Sequence, residues 1–187
     1  MREGRDDEIE LARYRSYLRV LARASVGPEW ERRFDASDLV QEALLQAHRK
    51  RDQIRGRDEA QVLAWLRRIL ERVLAHALRD HQRARRDLRR EVPIAASLDE
   101  SSARLEALLA GDGSTPSEKA LQRERAVELS EALEALPGAQ REAVVATYLS
   151  GQSLDETARA MGKTPGAVAS LVRRGLARLR ESLREES

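Results

Sequence analysis

Apolar residues in this chain recur three and four positions apart, the spacing that lines one face of a helix. Tyr14, Leu18 and Leu21 form a first stripe, and Gly27-Pro28 ends it. Asp35 stands as an N-cap before a second stripe of Leu39, Ala43 and Ala47. A third, longer one runs through Leu66, Ile69, Leu70, Val73 and Ala77, with a charged loop around Gly56 before it. No segment sustains the period-2 alternation of a half-buried strand. The five prolines (Pro28, Pro93, Pro116, Pro137 and Pro165) all fall at boundaries between stripes. Residues 1–90 therefore read as a bundle of three or four helices.

The pattern resumes from Lys119. Leu129, Leu133 and Leu136 precede Pro137-Gly138, and Val144, Val145, Tyr148 and Leu149 precede Ser150-Gly151. Ser153-Leu-Asp-Glu156 is a capping box, in which the serine hydroxyl takes the amide three residues on and the glutamate reaches back. The short helix it starts runs to Met161, where Gly162 suits a left-handed end. Thr164 then caps, and Pro165 takes the first helical position, where its missing N–H costs nothing. The last helix carries Val168, Leu171, Val172, Leu176, Leu179 and Leu183. A short helix, a glycine turn and a longer helix with arginines outward is a helix-turn-helix pattern, though an ordinary helical hairpin shares it. With the apolar stripe turned inward, Gly166, Ala169, Ser170, Arg173 and Arg174 face outward. Ser170 and Arg173 are then the candidates for bases or phosphates, and Arg178 and Arg180 for phosphates.

Between the two patterns lies a stretch with linker composition, from Val92 to Ser117, rich in Ser and Gly. Leu98, Leu105, Leu108 and Leu109 allow a short helix inside it.

Charge sharpens this division. The 187 residues carry 34 basic and 32 acidic side chains, but unevenly. Residues 1–90 are net basic, 91–118 hold Arg104 alone against six acids, and the remainder is balanced. Nine arginines crowd into residues 67–90, among them Arg67, Arg68, Arg72, Arg79 and Arg83, against Glu71, Asp80 and Asp87. Adjacent arginines repel without an anion, so this helix points to a polyanion. A solvated helix face paired at i,i+4 is the plainer account. Trp65, at the start of that helix, reads as core rather than as a wedge for bases.

Other chemistries find little support. No cysteine is present, which removes disulfides, thiolate metal sites and cysteine nucleophiles. His76 and His81 are five apart, not the four that would place both on one helical face, and no metal or cofactor is expected. No phosphate-binding glycine loop or nucleophile elbow appears, so no enzyme activity is expected. There is no 18-residue apolar run and no apolar core in Met1 to Glu10, so the expectation is a cytoplasmic protein without membrane insertion.

Five motifs in order carry a family resemblance: Asp35-Ala-Ser-Asp-Leu-Val-Gln-Glu-Ala-Leu44, Ala64-Trp-Leu-Arg-Arg-Ile-Leu70, Leu136-Pro-Gly-Ala-Gln-Arg-Glu-Ala143, Ser153-Leu-Asp-Glu-Thr-Ala158 and Thr164-Pro-Gly-Ala-Val168. Over residues 8–184 the chain resembles a bacterial sigma factor of the extracytoplasmic-function group of the sigma-70 family. The resemblance implies an all-α protein of two helical domains joined by a flexible linker. Residues 1–92 would be region 2, binding core RNA polymerase and melting the −10 element. Residues 93–117 would be the acidic linker, and residues 118–187 region 4, reading the −35 element of promoter DNA. Asp38, Gln41 and Glu42 would contact polymerase. Arg67, Arg68, Arg72, Arg79 and Arg83 would meet the separated strand, whose phosphates a basic helix suits. An anti-sigma factor is a further expected partner.

The chain departs from the family pattern at Ser37, where an acid is common, at Glu71-Arg72-Val73, where an asparagine is common, and at Ala167, Ala169 and Leu171 in the last helix. Reading of the −35 element then falls on Ser170, Arg173 and Arg174, with Arg178 beside them on DNA phosphates. Ser37 becomes a candidate for phosphorylation by a kinase, since a phosphate restores negative charge at a helix N-terminus. The acidic connector, with Asp99, Glu100, Glu106 and Asp112, suits a basic-walled channel in polymerase. A stand-alone helix-turn-helix regulator and a helical adaptor for an acidic protein are the alternatives.

Overall fold

The computed structural model describes residues 11–26, 35–54, 56–85, 94–108 and 116–185. Among these there is helix and turn but no strand. The elements are α1 (Arg15–Val26), α2 (Ala36–Arg49), a 3-10 turn (Arg51–Ile54), α3 (Glu59–Arg85), α4 (Ile94–Ala107), α5 (Pro116–Ala135), α6 (Gly138–Val144), a π-turn (Val145–Leu149), α7 (Leu154–Met161) and α8 (Pro165–Glu185). The Gly27-Pro28 stop, the side chain of Arg83, the arginines Arg86, Arg89 and Arg90, and Asp112 lie outside the described residues.

Helix α1 is the centre of the molecule. The stripe of Tyr14, Leu18 and Leu21 is buried, but so are Tyr17, Val20, Ala22, Ala24 and Ser25. Arg15, Arg19 and Arg23 form the one polar edge of this helix, and so wide an apolar remainder needs cover from more than one side. Helices α2 and α3 pack on part of it, and α4, α5 and the π-turn on other parts. The small residues Ala36, Ala43 and Ala47 line the buried side of α2. On α3, Leu63, Leu66, Leu70 and Leu74 are fully enclosed. Trp65 is partly buried against the same core, and its indole N–H donates to Gln53 Oε1 at 3.1 Å, fastening α3 to the 3-10 turn.

The stretch with linker composition contains a helix of 14 residues, α4, which is packed rather than trailing. Ile94, Leu98 and Leu105 are buried, as are Ser101 and Ser102. The serines that gave this stretch its linker look are interior hydrogen-bonding groups. Ser97 Oγ donates to the Ser25 carbonyl at 3.3 Å, and Ser101 Oγ donates to the Leu149 carbonyl at 3.3 Å. One continuous apolar core consequently runs from Leu11 through Leu98, Leu105 and Leu133 to Leu179. Helix α5 begins at Pro116, within the expected linker range, and its Leu129 and Leu133 join that core.

Charge reinforces the contact between α1 and α5. Glu134 is paired with both Arg19, at 3.4 Å, and Arg23. Its backbone carbonyl accepts from Arg141 at 2.7 Å.

Candidate nucleic-acid interface

The C-terminal hairpin forms as its caps dictate. Ser153 Oγ accepts from the Glu156 N–H at 3.2 Å, and the Glu156 carboxylate accepts from the Ser153 N–H at 2.8 Å. That N–H and the serine hydroxyl hold the Glu156 carboxyl below the ordinary carboxylate range. Gly162 ends α7 at φ +62°, a left-handed conformation that costs other residues a Cβ clash. Thr164 Oγ1 then accepts from the Ala167 N–H at 3.2 Å and starts α8. A small separate core of Ala143, Ala158, Val168 and Val172, flanked by Met161, Leu171 and Leu176, fixes the angle between the two helices.

That core turns the other side of α8 outward. Arg173, Arg174, Arg178 and Arg180 are exposed, with Gly166 and Ala169, while Ser170 is half-buried. Gly175 is buried where α8 crosses α6, and a Cβ there would lie 2.8 Å from Val144 Cγ2. This close crossing seats α8 against the rest of the C-terminal half.

The arginines of α3 fall into two sets. Arg68, Arg72 and Arg79 are exposed and available to an anion. Arg67 is engaged internally. Its Nη1 donates to the Tyr17 hydroxyl at 3.1 Å and to Ser102 Oγ at 3.3 Å, and its Nε lies 3.4 Å from Asp99 Oδ1. Ser102 Oγ donates onward to Glu106 Oε1 at 3.4 Å, so it accepts from Tyr17. Burial pushes the Tyr17 phenol above its usual range against the pull of Arg67, which keeps it a donor at neutral pH. Burial opposes the charge on Arg67, but Tyr17, Asp99 and Glu106 outweigh it and raise its pKa. An open cleft of about 240 Å³ lies alongside, lined by Arg67, Arg68, Glu71, Leu98 and Asp99 among others.

A third surface lies on α2. Asp38, Gln41 and Glu42 are all exposed. Leu45, about one turn further on along the same stripe, is 48% exposed. At the start of the helix the Asp35 carboxylate accepts the Ser37 N–H at 2.8 Å and also bonds the Ser37 hydroxyl, which together lower the Asp35 pKa. Ser37 is half-buried beside it.

Leu45 and the α4 residues Ser101, Ser102 and Arg104 are parts of this arrangement that no motif marked. Leu45 was visible as the apolar member of an otherwise polar i, i+3, i+4, i+7 stripe beginning at Asp38.

The sequence divides into matches that follow this geometry. Residues 11–84 match the family described as Sigma-70 region 2, and residues 126–179 match Sigma-70, region 4. The chain belongs to the sigma-70 family, in its ECF group. It is 34% identical over 151 residues to the ECF RNA polymerase sigma factor SigF of Caulobacter vibrioides, a match that covers 80% of this chain and 72% of that one. It is 34% identical over 145 residues to the ECF RNA polymerase sigma factor SigM of Mycobacterium tuberculosis, covering 78% of this chain. It is 31% identical over 161 residues to SigD of Mycobacterium bovis, covering 86% of this chain and 69% of that one. The match spans 62% of the length of SigM, a little under two thirds. Among the described residues no helix is long and apolar enough to cross a membrane.

Proposed function

We propose that this chain is a promoter-specificity subunit that binds core RNA polymerase in the cytoplasm, recognises −35 and −10 elements and opens the DNA, with no catalytic step of its own. Residues 1–92 hold polymerase through the α2 face of Asp38, Gln41 and Glu42. The basic α3 helix, through Arg67, Arg68, Arg72, Arg79 and Arg83, takes the phosphates of the separated strand. Residues 93–117 connect the halves. Residues 118–187 place α8 in a major groove, where Ser170, Arg173 and Arg174 reach bases while Arg178 and Arg180 reach phosphates.

One juxtaposition supports this reading best. A single chain presents an acidic helix face ending on an exposed leucine and, separately, a helix-turn-helix whose two helices are both N-capped by side chains, with arginines outward. The first suits a protein partner and the second suits duplex DNA. A stand-alone regulator has no need of the α2 face, and an adaptor has no need of the α8 arginines.

The test mixes the chain with core polymerase and a random promoter library, then scores permanganate-reactive bubbles and run-off transcripts. Open complexes that need both chain and core are expected. Tight duplex binding by the chain alone, with no bubble when core is added, would overturn the reading in favour of a regulator.

Ser37 is proposed as a phosphoacceptor and an anti-sigma factor as a further partner. A phosphate on Ser37 lies near the α2 N-terminus, where negative charge is favoured, although Asp35 already occupies that end. A Ser37→Glu variant with unchanged affinity for core would remove the kinase from the scheme.

A further inference from the structure

We propose that the cleft between α3 and α4 is a nucleotide site, which takes a guanine base inside and leaves its 5′-phosphate on the arginines at the mouth. The binding itself does not depend on the promoter reading above.

The cleft encloses about 240 Å³, room for about eight waters at roughly 30 Å³ each. That is less than the roughly 300–1,000 Å³ of sites that enclose a drug-sized ligand, so it suits one flat ring system with the remainder of the molecule outside. Leu98 supplies a buried apolar wall, and Ala64 and Ala95 are small enough to leave the space open. Arg67 supplies a fixed platform. Its Nη1 donates to the Tyr17 hydroxyl and to Ser102 Oγ, which sets the plane of the guanidinium, and an aromatic ring stacks on such a plane.

The carboxylates choose the ring. Asp99 and Glu71 both line the cleft. The Asp99 side chain is 74% exposed and lies 3.4 Å from Arg67 Nε, which makes no hydrogen bond. Such an exposed pair is weak, so the Asp99 oxygens are open to a ligand. An ionised carboxylate only accepts, and two parallel bonds to it need two adjacent N–H donors. Guanine presents them on N1 and N2. Adenine and cytosine place an amino group beside a bare ring nitrogen, whose lone pair the carboxylate repels. Uracil offers a single N–H between two carbonyls.

The mouth supplies the charge for a phosphate. Within the cleft the carboxylates offset the arginines, so a bare phosphate is not favoured there. Arg68 and Arg72 are four apart on α3 and both exposed, and two such forks side by side grip a phosphate. A molecule with paired donors at one end and a phosphate at the other matches this order. Arg68 and Arg72 are assigned above to the separated strand, so a bound nucleotide would withhold them from it; that consequence alone rests on the promoter reading.

The experiment titrates the full chain, without polymerase, with GMP, IMP, AMP and guanosine by calorimetry. GMP should bind saturably at one site. AMP, IMP (which lacks the 2-amino group) and guanosine (which lacks the phosphate) should each bind about tenfold more weakly or worse. Asp99→Asn leaves one acceptor for two donors and should lower GMP affinity about tenfold. Ala95→Leu changes an exposed position and fills the cleft, so it should abolish binding while the chain stays folded. If that variant fails to fold, Asp99→Asn carries the test. Arg72→Ala should narrow the gap between GMP and guanosine. The guanine can belong to a free nucleotide or to a strand, and a thymidine oligonucleotide with one central dG, set against its all-thymidine parent, separates the two. Saturable GMP binding assigns the cleft to the free nucleotide. A dG preference that Ala95→Leu removes, without GMP binding, assigns it to a strand. Equal affinity for GMP and AMP overturns the proposal. So does GMP binding that survives both Ala95→Leu and Asp99→Asn, or the absence of any guanine-dependent binding in either form. Because polymerase and promoter are absent, a failure of the promoter reading leaves each of these results intact.

Discussion

The phenol of Tyr17 and the hydroxyl of Ser102 meet at 3.0 Å inside the core, 85 positions apart in the chain. The bond joins α1 to α4 and continues as a directed chain from Arg67 through Tyr17 and Ser102 to Glu106. Tyr17→Phe keeps the ring and breaks the chain at its centre. A buried hydrogen bond that leaves a partner unsatisfied costs about 1–2 kcal/mol. The urea midpoint should fall accordingly with an unchanged m-value, and a midpoint identical to the parent would contradict the relay.

Acid should weaken the molecule at two helix starts. The Ser37 N–H and hydroxyl lower the Asp35 pKa, and the Ser153 N–H and hydroxyl lower that of Glu156. A carboxyl more acidic in the folded than in the unfolded state stabilises fully above its unfolded pKa, near about 4. That contribution is lost as pH falls through the lower folded value. The urea midpoint should hold steady from about pH 7 to 5 and decline below about 4. Asp35→Asn with Glu156→Gln should flatten part of the decline. Ser153→Ala, which removes the other half of the capping box, should cost about 1 kcal/mol at neutral pH.

Gly175 marks a close crossing of α8 over α6. Alanine favours a helix over glycine by about 1 kcal/mol, so on propensity alone Gly175→Ala should stabilise α8. The added carbon would meet Val144 Cγ2 at 2.8 Å, with the Gln140 carbonyl at 3.5 Å beside it. Overpacking of this kind costs about 1–3 kcal/mol, so a net loss of stability is expected. Val144→Ala in the same chain should recover it, and a double-mutant cycle showing no coupling would refute the clash.

Two surfaces should separate two activities. Leu45→Asp should weaken affinity for core polymerase by about tenfold, the size expected when a central contact is removed. It should leave thermal unfolding unchanged, because Leu45 is largely in solvent. Arg173→Ala should leave polymerase affinity intact and reduce selection of the upstream promoter element. Loss of both activities in either variant would show that the surfaces are not independent.

Much of the fold was legible because local chemistry decided it. Ser153, Glu156, Gly162, Thr164 and Pro165 each favour one local geometry, and α7 begins and ends, and α8 begins, where those residues require. The apolar stripes of α2 and α3 were equally plain. What composition obscured was α4. Serine is written into linkers and into buried seats alike, and only tertiary contact distinguishes Ser101 and Ser102 from solvated residues. Arg67 posed the same difficulty from the other side. In the linear pattern it is one of nine arginines, and nothing local shows that Tyr17 and Ser102 engage it. The second layer against α1 was likewise beyond a periodicity argument, since a stripe predicts one partner layer and the structure supplies two.

Gly151 lies directly beneath Arg104 with φ +69°, and a Cβ there would come within 2.9 Å of the guanidinium. Any larger residue at this position would push the arginine off the Leu149 carbonyl and would itself be strained by the positive φ. A point so placed acts as a tuning position. Graded replacement at residue 151 would set how firmly α4 stays fastened to the C-terminal half.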